Sequence, residues 1–357
     1  MRNSAANRAV EITPAAANGA TQSGPAPTAS TPDTSAAERH ARLVKLLRKE
    51  VQRFVNDVAR VLTGEDKRAI HDLRVWSRRL QQVLVAMYGE ELPRRARAMR
   101  RVLRRTRRAI GAWRNCDVVI EAIERRVGRA RSEERRRAWE IVLKSASEAR
   151  RREIRRARKR LMKLNIFGLR EAAESLIESG SAEAGSLNAS FWTSVAQAYD
   201  RWREAYAGSV KSKHAEDIHA FRIRSKRLRY RIELARELGA EETGALLEWF
   251  KKLQDGLGRW RDRVELSRVI ARSIADPERL LSEPRASILL LNELERLNRR
   301  AEQEIAALLG GIEGSVGFKQ CEKWVRDHTR IQTEPESAAA SSSGVLESAS
   351  VSTAPRV

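Results

Sequence analysis

The sequence predicts an all-α chain, and three observations carry that prediction. Apolar residues recur at three- and four-residue spacing through most of residues 36–328, the period of helices buried on one side. Strand signals are nearly absent, with no alternating β-branched run and no Asn-Gly hairpin. One helical pattern also occurs twice: Ile70-His71-Asp72-Leu73-Arg74-Val75-Trp76-Ser77-Arg78-Arg79-Leu80, and again from Ile218 to Leu228. Positions i, i+3 and i+7 share a helix face, so His71, Arg74 and Arg78 form one polar stripe and His219, Arg222 and Lys226 another. Beside the stripes lie Ile70, Leu73, Ser77, Leu80 and Leu84, and Ile218, Phe221, Ser225, Leu228 and Ile232. Each helix therefore has a core side and an adjoining cationic edge, which points to two edges acting on one anionic ligand.

The elements follow in order. Thr34 or Ser35 caps a helix through Val44, Leu47, Val51, Val55 and Val58 that ends near Gly64. The first histidine helix spans about Asp66 to Tyr88, closed by Gly89 and Pro93. A third runs from Arg94 to Ala112 on Met99, Val102, Ile110 and Trp113, a fourth starts near Asp117, and an arginine-dense one covers about Glu133 to Leu164. Gly180 to Gly185 reads as a break. Helices resume at about Ala189–Gly208, Ala215–Leu238, Glu242–Leu257, Val264–Ala275 and Ser287–Leu309. Residues 1–35 and 332–357 are Ala-, Ser- and Thr-rich with few large apolar side chains, and are expected to be disordered tails.

Composition narrows the function classes. The net charge is +23, from 70 Lys and Arg against 47 Asp and Glu, which favours a polyanionic partner: nucleic acid, an anionic membrane surface or polymeric phosphate. Arginine carries most of the excess and can grip phosphate oxygens bidentately. Two cysteines, Cys116 and Cys321, give neither a disulfide framework nor metal spacing, which fits a reducing cytoplasm. No stretch approaches the apolar length of a membrane span, and the N-terminus lacks a secretory signal's apolar centre.

The repeat extends beyond the histidines. Arg104-Arg105 and Lys251-Lys252 each precede a Gly-x-Trp-Arg sequence, Gly111-Ala112-Trp113-Arg114-Asn115 and Gly258-Arg259-Trp260-Arg261-Asp262. The offset is 148 residues at the histidines and 147 here, which points to duplication of a helical bundle. Trp113 and Trp260 are expected in the core, the arginine runs at 94–108 and 150–160 on solvated faces, and His40, His214 and His328 in structural roles.

On these elements, His71-x-x-Arg74-x-x-x-Arg78-Arg79, His219-x-x-Arg222-x-x-x-Lys226-Arg227-Leu228-Arg229-Tyr230 and Leu253-Gln254-Asp255-Gly256-Leu257-Gly258 with Asp262, the chain resembles the CHAD family, the conserved histidine α-helical domain. The likeness covers about residues 36–328, in halves of about 36–180 and 186–328. It implies two four-helix bundles related by a pseudo-twofold, with a basic surface between them that binds inorganic polyphosphate. It assigns that binding to His71, Arg74, Arg78, Arg79, His219, Arg222, Lys226, Arg227 and Arg229, with Arg104, Arg105, Lys251 and Lys252 as secondary candidates. Asn115 departs from the family's aspartate, and Asp117 is expected to substitute in part.

Polyphosphate carries charge along a flexible chain with no bases to read, so repeated charge-assisted donors on rigid helices suffice to hold it. The leading expectation is a polyphosphate-binding protein, cytoplasmic and associated with polyphosphate granules. Weak, non-specific nucleic-acid binding is the alternative, without a helix-turn-helix, zinc-finger or RNA-recognition signature. An enzyme acting on polyphosphate or triphosphate is the third reading. Its nearest support is Glu293-Leu294-Glu295, which lacks a Lys two residues later and a strand context, and there is no P-loop or His-based metal motif. No catalytic residue, metal site or cofactor is expected.

Overall fold

The computed structural model describes residues 36–179 and 184–330, and every regular element among them is a helix. The first half of the chain forms α1 (Ala36–Thr63), α2 (Lys67–Tyr88), α3 (Arg94–Val127), α4 (Glu133–Leu161) and α5 (Leu169–Ser179). The second forms α6 (Ala184–Ser212), α7 (Ala215–Glu237), α8 (Thr243–Ile274), the short α9 (Pro277–Ser282), α10 (Pro284–Gly310) and α11 (Val316–Arg330). The expected tails lie outside the described residues, as does most of the Gly180–Gly185 break, although Gly185 itself is already in α6. No helix among the described residues is long and apolar enough to cross a membrane.

The two histidine helices are α2 and α7, and all ten positions assigned to their core sides are buried. Asp66 caps α2 by accepting from the backbone N–H groups of Arg68 (2.8 Å) and Ala69 (3.0 Å). Gly89 ends it at φ 71°, a left-handed backbone conformation that favours glycine. The matched serines of the repeat are both satisfied. Ser77 Oγ donates to the Arg74 carbonyl at 3.0 Å, and Ser225 Oγ donates to the Phe221 carbonyl while accepting from Trp202 Nε1.

Two sequence expectations are corrected. The helix breaks at Ala112 and Leu257 do not occur: α3 runs unbroken through Gly111 and α8 through Gly256 and Gly258. At Gly256 a Cβ would meet Leu308 side-chain atoms at 3.0–3.1 Å, so this glycine admits α10 rather than ending α8. Periodicity also failed to single out α5 and α11, which pack on α1 and α6 respectively.

Neighbours meet in the same order in both halves: α1 with α2, α2 with α3 and α3 with α4; then α6 with α7, α7 with α8 and α8 with α10. The buried apolar side chains do not divide between the halves, however. One continuous cluster runs from Leu47, Phe54 and Leu73 through Trp113 to Trp202, Phe221 and Trp260. A second, smaller cluster forms where the far ends of two hairpins meet, with Ile123 and Trp139 from α3–α4 and Ile270 and Leu290 from α8–α10. Trp113 and Trp260 are buried in the main cluster.

Candidate functional site

The two stripes line one cleft of about 780 Å³. From α2 come His71, Arg74 and Arg78, and from α7 His219, Arg222 and Lys226. The equivalent stretches of α3 and α8 add Arg114 with Asn115, and Arg259 and Arg261 with Asp262. Seven Lys and Arg side chains and two histidines thus face three carboxylates, Asp255, Asp262 and Glu265. Glu265 is already engaged by Arg261 and by Arg268 at 3.1 Å.

Helix phase explains the membership. Gly111, Arg114, Asn115 and Val118 fall within one face of α3 while Trp113 points to the core from the opposite side. At Gly258 a Cβ would meet nothing within 4 Å, and at Gly111 it would lie 3.7 Å from Arg74 Nη1, so these glycines keep the cleft floor open. Arg114, Arg259, Arg261, Gln254 and Tyr230 are cleft residues that sequence reasoning missed. The Gly-x-Trp-Arg repeat held the signal for the first three, once Trp is assigned to the core and the phase is read from it.

The nine primary positions are divided. Arg79 and Arg227 each follow a cleft residue and so sit about 100° further around their helices. Arg79 faces Glu50, Glu233 and Glu237 at 3.8–3.9 Å, and Arg227 lines a different cavity. Arg229 is held by Glu233 at 2.9 Å and donates to Gln254 Oε1 at 3.0 Å. Among the secondary candidates, Arg104 lines the same cavity as Arg227. Arg105, Lys251 and Lys252 are exposed outside the cleft, Lys251 3.8 Å from Glu248. Asp117 does not replace the missing cleft carboxylate: fully buried on α3, it pairs with Arg150 of α4 at 2.7 Å. Of the Glu293-Leu294-Glu295 sequence, Glu293 is paired with Arg126 and Arg296.

In the partly buried cleft, Lys226, Arg74, Arg222 and the two histidines resist being charged. Burial, reinforced by Arg222, Arg78 and Arg74, pushes the Lys226 ammonium down to about 6. Burial and then Arg78, Arg222 and Arg114 lower Arg74 to about 10. His71 is held below the ordinary imidazole value by burial and then Arg114, and His219 by burial and then Arg261. In the opposite sense, burial raises the Asp262 carboxyl against the pull of Arg222 and Arg114. His219 Nδ1 and Arg222 Nε are buried without a hydrogen-bond partner among the described residues. Donors left in this state are suited to an oxyanion that supplies both acceptors and compensating charge.

Comparison with known proteins agrees with this architecture. A crystal structure of the CHAD domain from the plant Ricinus communis has 22% identity and a TM-score of 0.52, over 76% of this chain and 91% of that one. PptA from Streptomyces chartreusis has 16% identity and a TM-score of 0.56, over 80% of this chain and 99% of that one. Both likenesses concern the fold. A search of curated proteins returns no match. Residues 45–271, which hold α2, α3, α7, nearly all of α8 and every side chain of the cleft, match the family described as CHAD domain, and the chain belongs to that family.

Proposed function

We propose that the protein binds inorganic polyphosphate in this cleft and acts as a binding protein rather than an enzyme. The carrying observation is that both histidine stripes, 148 residues apart in sequence, line the same cavity. Successive phosphates of one chain can then take Arg74, Arg78 and Arg114 from one side and Arg222, Lys226 and Arg261 from the other. Each charge-assisted hydrogen bond contributes about 1.5–3 kcal/mol net, and counterion release adds a salt-dependent part. A protein with this affinity would collect on polyphosphate granules.

The test is titration with long-chain polyphosphate and with duplex DNA at about 0.15 M ionic strength, where exposed charges are substantially screened. Polyphosphate is expected to bind far more tightly than DNA. A folded His71→Ala, Arg78→Ala, His219→Ala, Lys226→Ala variant is expected to lose at least about a hundredfold in affinity. Equal affinity for DNA, or unchanged binding by the variant, would replace this reading with diffuse electrostatics.

Binding should also take up protons. Burial pushes Lys226 down to about 6 and holds both histidines below the ordinary imidazole value, whereas neighbouring phosphates raise all three. The bound state therefore holds more protons at neutral pH, and affinity rises as pH falls from about 8 towards 6. Calorimetry at pH 7 in two buffers of different ionisation enthalpy measures this uptake directly. Zero uptake, or release, would contradict the assignment.

A further inference from the structure

The turn between α4 and α5 presents two large apolar side chains to solvent. Met162 is 70% exposed and Phe167 64%. Around them Leu161, Ile166 and Leu169 are buried in the main apolar cluster, so the turn is anchored from beneath. It is also braced by its own hydrogen bonds: the Gly168 N–H donates to Asn165 Oδ1 at 3.0 Å, and the Ile166 N–H to the Leu164 carbonyl at 2.9 Å. Met162 and Phe167 are therefore held outward on a fixed base, although burying them would stabilise the fold.

The turn lies at the end of a cationic face. Arg152, Arg155 and Lys159 are exposed at i, i+3 and i+7 of α4, and Met162, still helical in its backbone at φ −60°, ends that stripe. Lys163 and Arg170, both exposed, flank the apolar pair in sequence. From α3, Asp117 pairs with Arg150 and the two helices run antiparallel, so the end of α4 at Leu161 falls beside about Thr106. That register brings the exposed Arg101 and Arg105 to the same end of the bundle. None of these cations makes an ion pair among the described residues. Of the carboxylates near the turn, Glu153 is engaged by Arg156 at 2.6 Å and Glu174 by Arg48 at 2.7 Å, which leaves Glu171.

We propose that the α4–α5 turn docks the protein on an anionic membrane surface, with Met162 and Phe167 entering the boundary between headgroups and acyl chains. Charge complementarity selects a polyanionic partner, and the apolar pair selects among polyanions. A phosphate polymer would use the cations and offer nothing to Met162 and Phe167. A lipid surface supplies an anionic layer and an apolar one beneath it, in the order in which the turn meets them. Each Lys or Arg brought near such a surface improves partitioning roughly fivefold. The apolar pair adds a part that salt does not screen. None of these residues lines the cleft, so docking does not depend on the polyphosphate reading.

Co-sedimentation with vesicles at about 0.15 M ionic strength tests it. Native protein is expected to sediment with vesicles of phosphatidylcholine mixed with phosphatidylglycerol and not with phosphatidylcholine alone. Met162→Ser, Phe167→Ser keeps every charge and is expected to bind the mixed vesicles at least about tenfold more weakly, with polyphosphate affinity unchanged. Both side chains are exposed, so the fold tolerates their replacement, and an unaltered melting temperature checks that. The quadruple cleft variant is expected to bind the vesicles as native protein does. If that variant also keeps its polyphosphate affinity, the cleft reading fails while the docking face stands. Native protein left in the supernatant with mixed vesicles would overturn the proposal, as would unchanged vesicle binding by Met162→Ser, Phe167→Ser. Should the same double variant lose affinity for single-stranded RNA while vesicle binding persists, the face belongs to nucleic acid instead.

Discussion

Lys226→Met is expected to melt at a higher temperature than the native protein and to bind polyphosphate more weakly. An ammonium pushed down to about 6 by burial and four arginines is one that the folded state charges reluctantly. In the unfolded chain the same lysine is free to protonate. Between about pH 6 and 10.5 the unfolded state therefore holds the extra proton, so this residue's destabilising effect is complete below pH 6 and fades as pH rises towards 10.5. Methionine keeps the length of the stem without the charge, and a gain of about 0.5–2 kcal/mol at pH 7 is reasonable for relieving one such group. Binding should fall by about ten- to a hundredfold at pH 6, where the native lysine is readily charged, and by less at pH 8, where binding must first protonate it. Thermal melts across pH, paired with titrations at pH 6 and 8, check both signs. A variant that melts lower than native at pH 6 would show that Lys226 is not under repulsion from its neighbours.

The second large effect belongs to Asp117. Its fully buried carboxylate receives Arg150 Nε at 2.7 Å and ties α3 to α4, while Arg150 Nη1 reaches the half-exposed Glu65 at 2.7 Å. Asp117→Ala removes the buried partner and leaves the arginine held only towards solvent, which should destabilise by about 3 kcal/mol. Glu65→Gln, altering the solvated arm of the same arginine, should cost under about 1 kcal/mol. Chemical denaturation of the two variants separates the arms. Equal losses would mean that the buried arm contributes nothing special. Polyphosphate binding should survive Asp117→Ala under conditions where it remains folded, because Asp117 is not among the residues lining the cleft.

The sequence made the helices and their inward faces legible because burial leaves a periodic imprint: every position assigned to the core sides of α2 and α7 is buried. It ended two helices too early, at Ala112 and Leu257, where α3 and α8 in fact run on past the neighbouring glycines, because a glycine that stops a helix and one that admits a neighbour look alike until the neighbour is placed. Within the candidate site, the i, i+3, i+7 stripes were visible because their members share a helix face, and the structure brings those six residues to one cleft. Arg79 and Arg227 could not be separated from them by composition alone. Both follow a basic residue of a stripe, and only the facing helix decides that one meets Glu50 and the other an arginine pocket. Nor could Asp117 be told from a cleft carboxylate without knowing that Arg150 approaches from α4.

The small apolar cluster where the α3–α4 and α8–α10 hairpins meet has a mechanical consequence. Val119 belongs to that cluster and also to the cleft wall, so the cluster sits at one end of the charged rows. The rows repel one another across the cleft, and the hairpins that carry them act as two levers joined at their tips by apolar packing and by the ion pairs Arg126–Glu293, Arg137–Glu283 and Arg285–Glu134. Salt screens the repulsion and the exposed pairs alike but leaves the apolar packing intact, so the gauge of the cleft is set in large part by side chains outside the cleft. A polyanion bound between the rows would reverse the load on the joint, drawing the levers together instead of forcing them apart.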